Sequence, residues 1–504
     1  MLHISLVKNP NVLLVVWDAC RYDYAVKHAS FLNELASSSL SFNNAVAPSP
    51  WSLPSHASIF TGEYPHKHGS NRFGDSIDTP LVQELSDSGY ATYGVSANGF
   101  ASQRTGFHEE FDEFRYTGGR DPYINGIDVS GSAQWILQES GGTHGEALMQ
   151  VLRQIPSHDH RLKSLANLTA VGCGELANKF EFLQRIRHPV FAPTSDYSYK
   201  PGNNTRTICS MLRSHNDGDP FFLFTNYMDT HRCYKPEDTL QEKHVGRKLG
   251  YDELVRLNEK VAAPWEFESK KARGELDEVD VETLRNLYAG EVETADQHLK
   301  KLYKTLDEQG MLEDTLIIVT ADHGENLGET DEMNRQRMGH EASISDAVLR
   351  VPLVVAHPQL DAATIEDEVS LEFLYDFILS VANGGNVSEK TVRDCVPDIF
   401  AVSQYPATGG GNETLEKYPD APKEAVRYRS SEHSVVAYDN DWKVVAETSG
   451  EKWTLKEMNQ EPVQDAPRDL VKTTEEYLNL LKQGGADTNL SDENLSQLED
   501  LGYL

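Results

Sequence analysis

Cysteine and positive charge are scarce in this 504-residue sequence. Its five cysteines are scattered, which excludes a disulfide framework and a zinc ribbon. Only 46 Lys and Arg residues stand against 79 Asp and Glu residues, and the net charge of −33 repels nucleic acid, so we expect no nucleic-acid partner. The acidic residues are spread along the whole chain, which is typical of halophilic proteins that work in concentrated salt, where their repulsion is screened.

An apolar run of membrane-spanning length is missing from the start of the chain. The run at residues 12–17 (VLLVVW) ends at Asp18. That length fits a buried strand and is too short to cross a membrane. No secretory signal is recognisable, so we expect a cytoplasmic protein without stable membrane insertion.

The chain does contain a series of short, continuous apolar runs with helical segments between them. Runs that do not alternate with polar residues are typical of strands buried on both faces of a sheet. Strands that alternate with helices predict an α/β fold, a mostly parallel central sheet flanked by helices. The predicted strands are residues 11–18, 91–98, 220–229, 315–324 and 351–357, and two of the helical segments are residues 79–89 and 288–310.

The sequence predicts a large α/β domain followed by a small C-terminal α+β subdomain. Within the subdomain we expect a hairpin around Asn440 and Asp441 and an amphipathic terminal helix over residues 491–504. The large domain carries two irregular insertions that shape the mouth of the pocket. The predicted boundaries are 1–400 for the large domain, about 112–215 and 232–280 for the insertions, and 401–504 for the subdomain.

Polar side chains follow several of the predicted strands, at the edge where a parallel sheet binds its ligands. One aspartate at such a place is commonly a helix cap. A ligand or acid–base residue type at four strand ends favours a functional site instead. These residues are Asp18 with Arg21, Asn98, Asp229 with His231, and Asp322 with His323.

Asp322 and His323 indicate a metal site. A carboxylate oxygen and an imidazole nitrogen side by side suit a divalent cation, and the imidazole favours manganese or zinc over calcium. Asp18 ends the first strand in the same way and is expected to complete the site. A turn that contains a hydrogen-bonded histidine is the alternative interpretation of the pair.

The segment APSPWSLPSHASIFTGEYPHKHG, residues 47–69, places Ser52 where a loop enters a helix. Pro54 is typical of a first helical turn. Free backbone N–H groups at a helix N-terminus favour an alkoxide and bind anions. A serine there, beside a metal, is suited to attack a phosphorus or sulfur centre. A simple serine N-cap is the alternative, and it is disfavoured by the nearby metal ligands.

Taken in order, these motifs resemble the sulfatase family within the alkaline phosphatase superfamily, from Asp18 to about residue 460. Each motif alone is weak, whereas their ordered combination is specific. The motifs are VVWDACR (15–21), SLPSHASIFTGEYPHKHG (52–69), FFLFTNYMDTHRCY (221–234), LYAGEVETADQHLKKL (287–302), DTLIIVTADHGENLGE (314–329), MGHEASISDAVLRVPLVV (338–355) and EKWTLKEMNQEP (451–462).

The resemblance implies roles for the site residues. Ser52 occupies the nucleophile position, which in sulfatases is a Cys or Ser oxidised to formylglycine. His231 and His340 are implied to contact the transferred group and its leaving group. One divalent metal ion, calcium, manganese or zinc, is expected to bind Asp18, Asp322, His323 and Ser52. The residues expected to bind substrate are His56, Asn98 and Arg21.

The chain departs from the family pattern at four places. His56 stands where the maturation motif has Arg, and Ala19 stands where many members have a second metal-binding Asp. His323 replaces the common Asn, as in phosphonate and phosphodiester relatives. The Gly-Lys-Trp-His segment of many sulfatases is missing, and Asn98 lies in about that region.

Three functions remain open on the sequence. The order of the motifs favours hydrolysis of sulfate esters through a nucleophile derived from Ser52. His56 and the Asp322–His323 pair favour a phosphatase, phosphodiesterase or phosphoryl-group transferase with unmodified Ser52. A non-catalytic binding protein on the same fold is the third reading, and the retained site residues argue against it. The expected substrate is a small-molecule or glycan ester of sulfate or phosphate.

Overall fold

The computed structural model describes residues 9–118, 127, 129, 132, 144–157, 161–179, 202–215, 218–261, 267–340, 342–397, 400–408, 430–456, 459–461 and 463–483. Its strands are β1 (Asn11–Trp17), β2 (Leu40–Phe42), β3 (Ala45–Val46), β4 (Ala91–Ser96), β5 (Glu113–Tyr116), β6 (Phe221–Tyr227), β7 (Thr315–Thr320), β8 (Asn326–Thr330), β9 (Gln336–Gly339), β10 (Leu353–Ala356), β11 (Ala363–Ile365), β12 (Val369–Ser370), β13 (Ala401–Tyr405), β14 (Ser434–Asp439), β15 (Trp442–Glu447), β16 (Lys452–Lys456) and β17 (Asn459–Glu461).

The helices of the described residues are numbered separately. They are α1 (Tyr22–His28), α2 (Ser30–Ala36), α3 (Ser52–Thr61), α4 (Pro65–His68), α5 (Pro80–Asp87), α6 (His144–Gln154), α7 (Arg161–Lys179), α8 (Gly202–Ser214), α9 (Asp238–Val245), α10 (Tyr251–Lys260), α11 (Phe267–Ala272), α12 (Glu278–Glu308), α13 (Asp346–Leu349), α14 (Phe373–Ala382), α15 (Glu389–Cys395) and α16 (Arg468–Gln483). None of them is both long and apolar enough to cross a membrane.

An eight-stranded sheet forms the centre of the large domain, in the order β11-β2-β10-β7-β1-β6-β4-β5. β1 lies between β6 and β7, parallel to both, and all of its residues are buried, as its continuous apolar sequence requires. The predicted α/β fold with a mostly parallel sheet is confirmed. β10 is the antiparallel exception, because an apolar run buried on both faces carries no information about strand direction.

The long helix α12 packs on the sheet and holds the chain where it leaves β1. Its core-facing residues recur at helical spacing and include Val292, Ala295, Leu299 and Leu302. From the same helix, the Tyr288 hydroxyl donates to the carbonyl of Ala19 at 2.7 Å and accepts from the backbone N–H of Arg21 at 2.9 Å. The turn after β1 is therefore fixed from outside the sheet.

The two predicted insertions are more regular than expected. In the first, β5 joins the edge of the central sheet, and α6, α7 and α8 follow. In the second, the described residues include α9, α10 and α11. Apolar residues at helical spacing explain the helices, since Val151, Ile155 and Val171 form a small core of their own. The expectation of irregular chain is wrong for the described residues.

The C-terminal residues form a second sheet, which is antiparallel, in the order β13-β14-β15-β16-β17. The predicted hairpin is confirmed: β14 and β15 pair across a turn in which Asn440 adopts φ of 49°, a left-handed conformation that Asn tolerates well. α16 packs on this sheet through a shared core that includes Val402, Val435, Leu470 and Leu478. The terminal helix predicted at 491–504 lies outside the described residues, and the boundary at residue 400 stays a prediction.

Candidate active site

Two parallel strands bring the predicted metal ligands together. Asp18 follows β1, and Asp322 and His323 follow β7, its hydrogen-bonded neighbour. One ligand atom from each of the three side chains lies within 4.8 Å of the other two. The predicted convergence of these residues is confirmed, and it follows from the topology, because the carboxyl ends of adjacent parallel strands meet at one edge of a sheet.

The two carboxylates are fully buried, and each has one oxygen left over. Asp18 accepts from the Asn98 and Asn226 amides through Oδ2, and Asp322 accepts from the backbone N–H groups of Ala19 and His323 through Oδ1. Among the described residues, Oδ1 of Asp18 and Oδ2 of Asp322 have no hydrogen-bond partner. Buried polar atoms are rarely left so, and a bound cation would satisfy both.

Burial also raises the pKa of both carboxyl groups. For Asp18, the neighbouring negative charge of Asp322 raises the pKa further. Two buried carboxylates side by side are stable as anions only with a positive partner, and a divalent cation is such a partner. The residues present therefore fit a metal ion.

The hydrogen bond of His323 fixes which of its nitrogens faces the carboxylates. Nδ1 lies 2.8 Å from the carbonyl of Gly324, so it carries the proton and leaves the lone pair on Nε2. Nε2 lies 3.6 Å from Oδ2 of Asp322 and 3.9 Å from Oδ1 of Asp18. Burial, aided by the neighbouring His340, lowers the pKa of His323 to about 3. A neutral imidazole with a directed lone pair is a suitable metal ligand.

Gly324 allows the chain after β7 to lie against Ala347 and Val348, which precede β10. A Cβ atom at this position would lie 2.2 Å from the carbonyl oxygen of Ala347, a distance that no side chain tolerates. The backbone N–H of Gly324 donates to the carbonyl of Val348 at 2.7 Å in the same contact. A glycine directly after His323 is thus required by packing.

Ser52 is the first residue of α3 and lies at the same edge of the sheet. Its Oγ is 3.2 Å from Nε2 of His323, and the residue is fully buried. The N-cap of α3 is Trp51, without a side-chain cap, so the alternative of a serine N-cap at position 52 is wrong. One turn later, Ser55 donates to the carbonyl of Asp322 at 2.7 Å and ties the helix to the metal-site strand.

His56, which is predicted to bind substrate, has a protein partner at each nitrogen of its ring. Its Nδ1 lies 2.8 Å from the carbonyl of Ser52 and its Nε2 lies 3.2 Å from the Asn226 amide, so both ring nitrogens are bound by the protein. The ring is fully buried between Phe107 and Phe224. His56 therefore stabilises the first turn of α3 through its contact with the Ser52 carbonyl.

Asn98 and Arg21 also make hydrogen bonds and ion pairs within the protein. The Asn98 amide donates to Oδ2 of Asp18 and accepts from the backbone N–H of Phe100 at 2.6 Å, so this residue orients a predicted metal ligand. The Arg21 guanidinium binds the carboxylates of Asp23 and Glu329. The role of both residues in substrate binding stays a prediction, and these contacts show that their polar groups also bind the protein.

His231 and His340 lie together beside the metal ligands. The ring of His340 is 4.1 Å from that of His323 and 5.4 Å from that of His231, measured between ring centres. Nδ1 of His231 lies 2.7 Å from the carbonyl of Arg232. Burial, with the nearby charges of His231 and Arg232, holds the pKa of His340 well below its usual value. The structure thus groups both predicted histidines at the site.

The sequence interpretation missed three residues that shape this site, namely Asn226, Tyr234 and Glu325. Asn226, the penultimate residue of β6, contacts both Asp18 and His56. Glu325 contacts His340 and Tyr234, and all three are buried. The signal for Glu325 was present, because it follows His323 by two residues in the segment DHGE.

Comparison with known proteins finds similarity to sulfatases and to another protein of the alkaline phosphatase superfamily. The Sulfatase family model matches residues 10–384. The multifunctional alkaline phosphatase superfamily protein PehA of Trinickia caryophylli is 26% identical over 379 residues, covering 68% of each chain. The choline-sulfatase of Rhizobium meliloti is 23% identical over 368 residues, covering 69% of this chain and 63% of its own. The chain thus spans about two thirds of the length of these curated relatives.

Two solved structures share the fold. The phosphonate monoester hydrolase of Agrobacterium radiobacter superposes with a TM-score of 0.58 at 17% identity, over 94% of this chain and 96% of its own. A protein solved in complex with its substrate D-glucosamine-2-N,6-O-disulfate gives a TM-score of 0.58 at 14% identity, over 94% of this chain and 99% of its own.

Proposed function

Because this chain belongs to the sulfatase family, we propose that it is a metal-dependent hydrolase of sulfate esters in which Ser52 provides the nucleophile. The observation that carries the proposal is the convergence of Asp18, Asp322 and His323 within 4.8 Å, beside Ser52 at the start of α3. A cation held by acidic and imidazole ligands at one sheet edge, next to a helix N-terminus, would suit an anionic ester group.

The metal would be held by Asp18, Asp322 and His323, with the Ser52 hydroxyl adjacent. Two carboxylates, one neutral imidazole and one hydroxyl favour manganese or zinc over calcium, which prefers six to eight oxygen ligands. When bound, the metal supplies positive charge that counters the charge of the reacting group. Asn98 and Asn226 hold Asp18 in place for this ligand role.

The protein's own groups then divide the remaining work. Ser52 begins α3, so the free backbone N–H groups of that helix favour negative charge at its side chain. We assign His231 and His340, which are grouped beside His323, as hydrogen-bond donors to the non-bridging and leaving-group oxygens of the ester, and their grouping supports this assignment. Such donors are effective when they stabilise the transition state more than the ground state.

The second candidate is hydrolysis or transfer of a phosphate or phosphonate group by unmodified Ser52. His323 favours it, as does His56, which replaces the arginine of the formylglycine maturation motif and binds the Ser52 carbonyl instead. The likeness in fold to a phosphonate monoester hydrolase is consistent with this chemistry. In both candidates the substrate class is a small-molecule or glycan ester of sulfate or phosphate.

The modification state of Ser52 separates the two candidates. An intact mass spectrum of the purified protein is expected to show either the sequence mass or a loss of two hydrogens, which marks formylglycine. Turnover of p-nitrophenyl sulfate and p-nitrophenyl phosphate with added manganese or zinc then identifies the preferred ester.

The nucleophile is tested with Ser52→Ala and a matched control. Ser52→Ala is expected to lower turnover by about 10²–10⁴-fold or more, since it removes the attacking group. Ser388→Ala removes another serine at a helix start, the N-cap of α15, and is expected to retain wild-type turnover. Near-wild-type activity of Ser52→Ala on both esters would end the proposal, as would an inactive wild type, which would favour the non-catalytic alternative.

A further inference from the structure

The helices α6 and α7 of the first insertion pack against each other around a small core of their own. Among the described residues, this core consists of Ile127, Val129, Val151, Ile155 and Val171, and it is separate from the core of the central sheet. A core of this size covers one face of each helix and leaves the other faces to solvent or to a partner.

One face of α7 is fixed to the protein. Its residues recur at positions i, i+3, i+4 and i+7, and they are Ser164, Asn167, Leu168 and Val171. The backbone N–H of Ile127 donates to Oγ of Ser164 at 3.0 Å, and the Asn167 amide donates to the carbonyl of Ile127 at 2.9 Å. Because rotation of α7 about its axis would break both bonds and leave buried backbone groups unpaired, this inner face stays where it is.

The opposite face of α7 is apolar as well. Its residues have the same spacing but are displaced by two positions, which is about 200° around a helix, and they are Leu162, Leu165, Ala166 and Thr169. Leu162 is 84% exposed and Leu165 is 47% exposed. A surface helix of a globular protein normally has one apolar face, so a second one is typical of a helix that is covered on both sides.

The one polar group of this outer face is already paired within the helix. The hydroxyl of Thr169 donates to the carbonyl of Leu165 at 2.8 Å. A partner that covers the face would therefore bury no unpaired hydroxyl, and its contact would be with the methyl group of Thr169 and with the leucine side chains. The outer face of α7 (Leu162, Leu165, Ala166 and Thr169) is thus suited to burial.

Exposed apolar side chains are concentrated on these two helices. Among the described residues, nine large hydrophobic side chains are exposed, and the other five lie on five different elements of the fold. The four on α6 and α7 are Met149, Leu152, Leu162 and Leu165. Single exposed apolar residues are normal on a protein surface, whereas several on one small unit mark an interaction surface.

The charge of this unit indicates which partner it fits. Residues 144–179 contain four Lys and Arg and three Asp and Glu, a net charge of +1, while the rest of the chain contains 42 and 76, a net charge of −34. A membrane with anionic headgroups would repel so acidic a molecule, and a charge of +1 is too small to offset the repulsion. Two copies of the chain also repel each other, but least where two nearly neutral units meet.

We propose that the outer face of α7 is the contact surface of a homodimer, in which it packs against the same face of a second copy. A two-fold axis brings identical patches together, and an apolar helix face is complementary to itself, so the contact needs no second patch. Side chains three and four positions apart form the ridges with which helices interlock, and the small Ala166 lets the two helices approach closely.

The salt dependence of the association is the first test. Burial of leucine favours the dimer and net charge opposes it, so Kd should fall about tenfold or more between about 0.1 M and about 1 M salt, where the Debye length shrinks to about 3 Å. Sedimentation equilibrium of the purified wild type measures Kd. A monomer at both salt concentrations would overturn the proposal. So would a dimer that weakens as salt rises, since ion pairs would then hold it.

The second test is the double variant Leu162→Gln with Leu165→Gln. Glutamine is a good helix former and leaves the net charge unchanged. Since two leucines are removed from each copy, Kd should rise about 100-fold or more. Val279→Gln, at an apolar residue of α12 that is 73% exposed, is the matched control and should keep the wild-type Kd. A wild-type Kd in the double variant would place the contact elsewhere and overturn the inference.

Circular dichroism checks that the double variant is folded. If it is not, Leu162→Gln alone carries the test, because its side chain is 84% exposed and contributes little to the monomer. A rise in Kd of about tenfold is then expected, and an unchanged Kd would overturn the inference.

A lipid surface is the other occupant that an apolar helix face can have. Flotation with vesicles of phosphatidylcholine, with and without phosphatidylglycerol, tests it, and we expect the wild type to bind neither. Vesicle binding that is lost in Leu162→Gln with Leu165→Gln would assign the outer face of α7 to a lipid surface and overturn the proposed dimer.

Discussion

Two regions of the molecule bury carboxylates, and they neutralise them differently. The Asp322 cluster (Asp18, Asp322 and His323) lies at the edge of the central sheet, and the described residues place no lysine or arginine in contact with its carboxylates. The Lys443 cluster (Glu332, Asp346 and Lys443) lies where the C-terminal sheet meets the large domain. There, Nζ of Lys443 binds Oδ1 of Asp346 at 2.6 Å and also contacts Glu332.

The pKa of Asp346 reflects this difference, although burial still raises the pKa of Glu332 in the same cluster. In the Lys443 cluster, burial raises the pKa of Asp346, but Lys443 and Arg350 outweigh it and lower that pKa to about 2. In the Asp322 cluster, burial raises the pKa of both aspartates, and the nearby histidines compensate only in part. One cluster contains its own cation, whereas the proposed metal would complete the other. We therefore expect the first to serve stability and the second to serve activity.

The largest effect is expected from Asp322→Asn, which keeps the shape of the side chain and removes its charge. Because a metal stabilises the charge of a transition state by several kcal/mol, turnover should fall about 10³-fold or more. The free energy of unfolding of the metal-free protein should not decrease, since a buried charge is removed. Turnover assays and denaturant unfolding check both. A stable variant with wild-type turnover would contradict the functional assignment of the cluster.

The opposite pattern is expected from Lys443→Met. This change leaves the buried Glu332 without its cation and leaves the partly exposed Asp346 with Arg350 alone, so the free energy of unfolding should fall by about 3–5 kcal/mol, while turnover of the folded protein changes little. Denaturant unfolding measures the loss. Lys456→Met, an exposed lysine of β16, is the control and should stay within about 0.5 kcal/mol of wild type. A loss below about 1 kcal/mol for Lys443→Met would remove the distinction between the clusters.

Metal addition should stabilise one cluster alone. At a free manganese or zinc concentration 100-fold above Kd, the free energy of unfolding of the wild type should rise by about 2.7 kcal/mol. Asp18→Asn should lose most of this increment, because it removes a ligand, whereas Lys443→Met should keep it. Unfolding curves with and without metal provide the measurement. An increment that persists in Asp18→Asn would place the metal elsewhere.

The sequence was sufficient to predict the Asp322 cluster because its residues follow the ends of strands. Asp18 and Asp322 follow continuous apolar runs, and a parallel sheet brings the ends of its strands to one edge. Local pattern and a general rule of topology were therefore sufficient to predict the convergence of these side chains and the fold. The direction of β10 was not, because burial on both faces gives the same sequence pattern in either direction.

The roles of the supporting residues depend on contacts that no local pattern contains. His56 was expected to bind substrate, yet its second partner, Asn226, is 170 positions away in the chain. Arg21 is bound by Glu329 across 308 positions. Polar groups that look available in the sequence are occupied by such distant partners in the fold. Glu325 was missed for the same reason, since its partner His340 lies beyond a hairpin.

The smallest effect is the pH dependence of stability. The pKa of Asp346 is lowered in the folded state, whereas the pKa values of Asp18 and Asp322 are raised. Because Lys443 and Arg350 hold the pKa of Asp346 at about 2, below its usual value of 3.8, the folded state favours the carboxylate. Its contribution to stability is fully present above about pH 3.8 and is lost as the pH falls through about 2. The difference in free energy of unfolding between wild type and Asp346→Asn should therefore shrink between pH 4 and pH 2, by about 2 kcal/mol. Asp394→Asn, at an exposed aspartate paired with Lys390, should show a far smaller change over the same range. If the difference in free energy of unfolding stays constant with pH, or grows as the pH falls, Asp346 is not held as an anion by Lys443 and Arg350. The Lys443 cluster would then be no better neutralised than the Asp322 cluster.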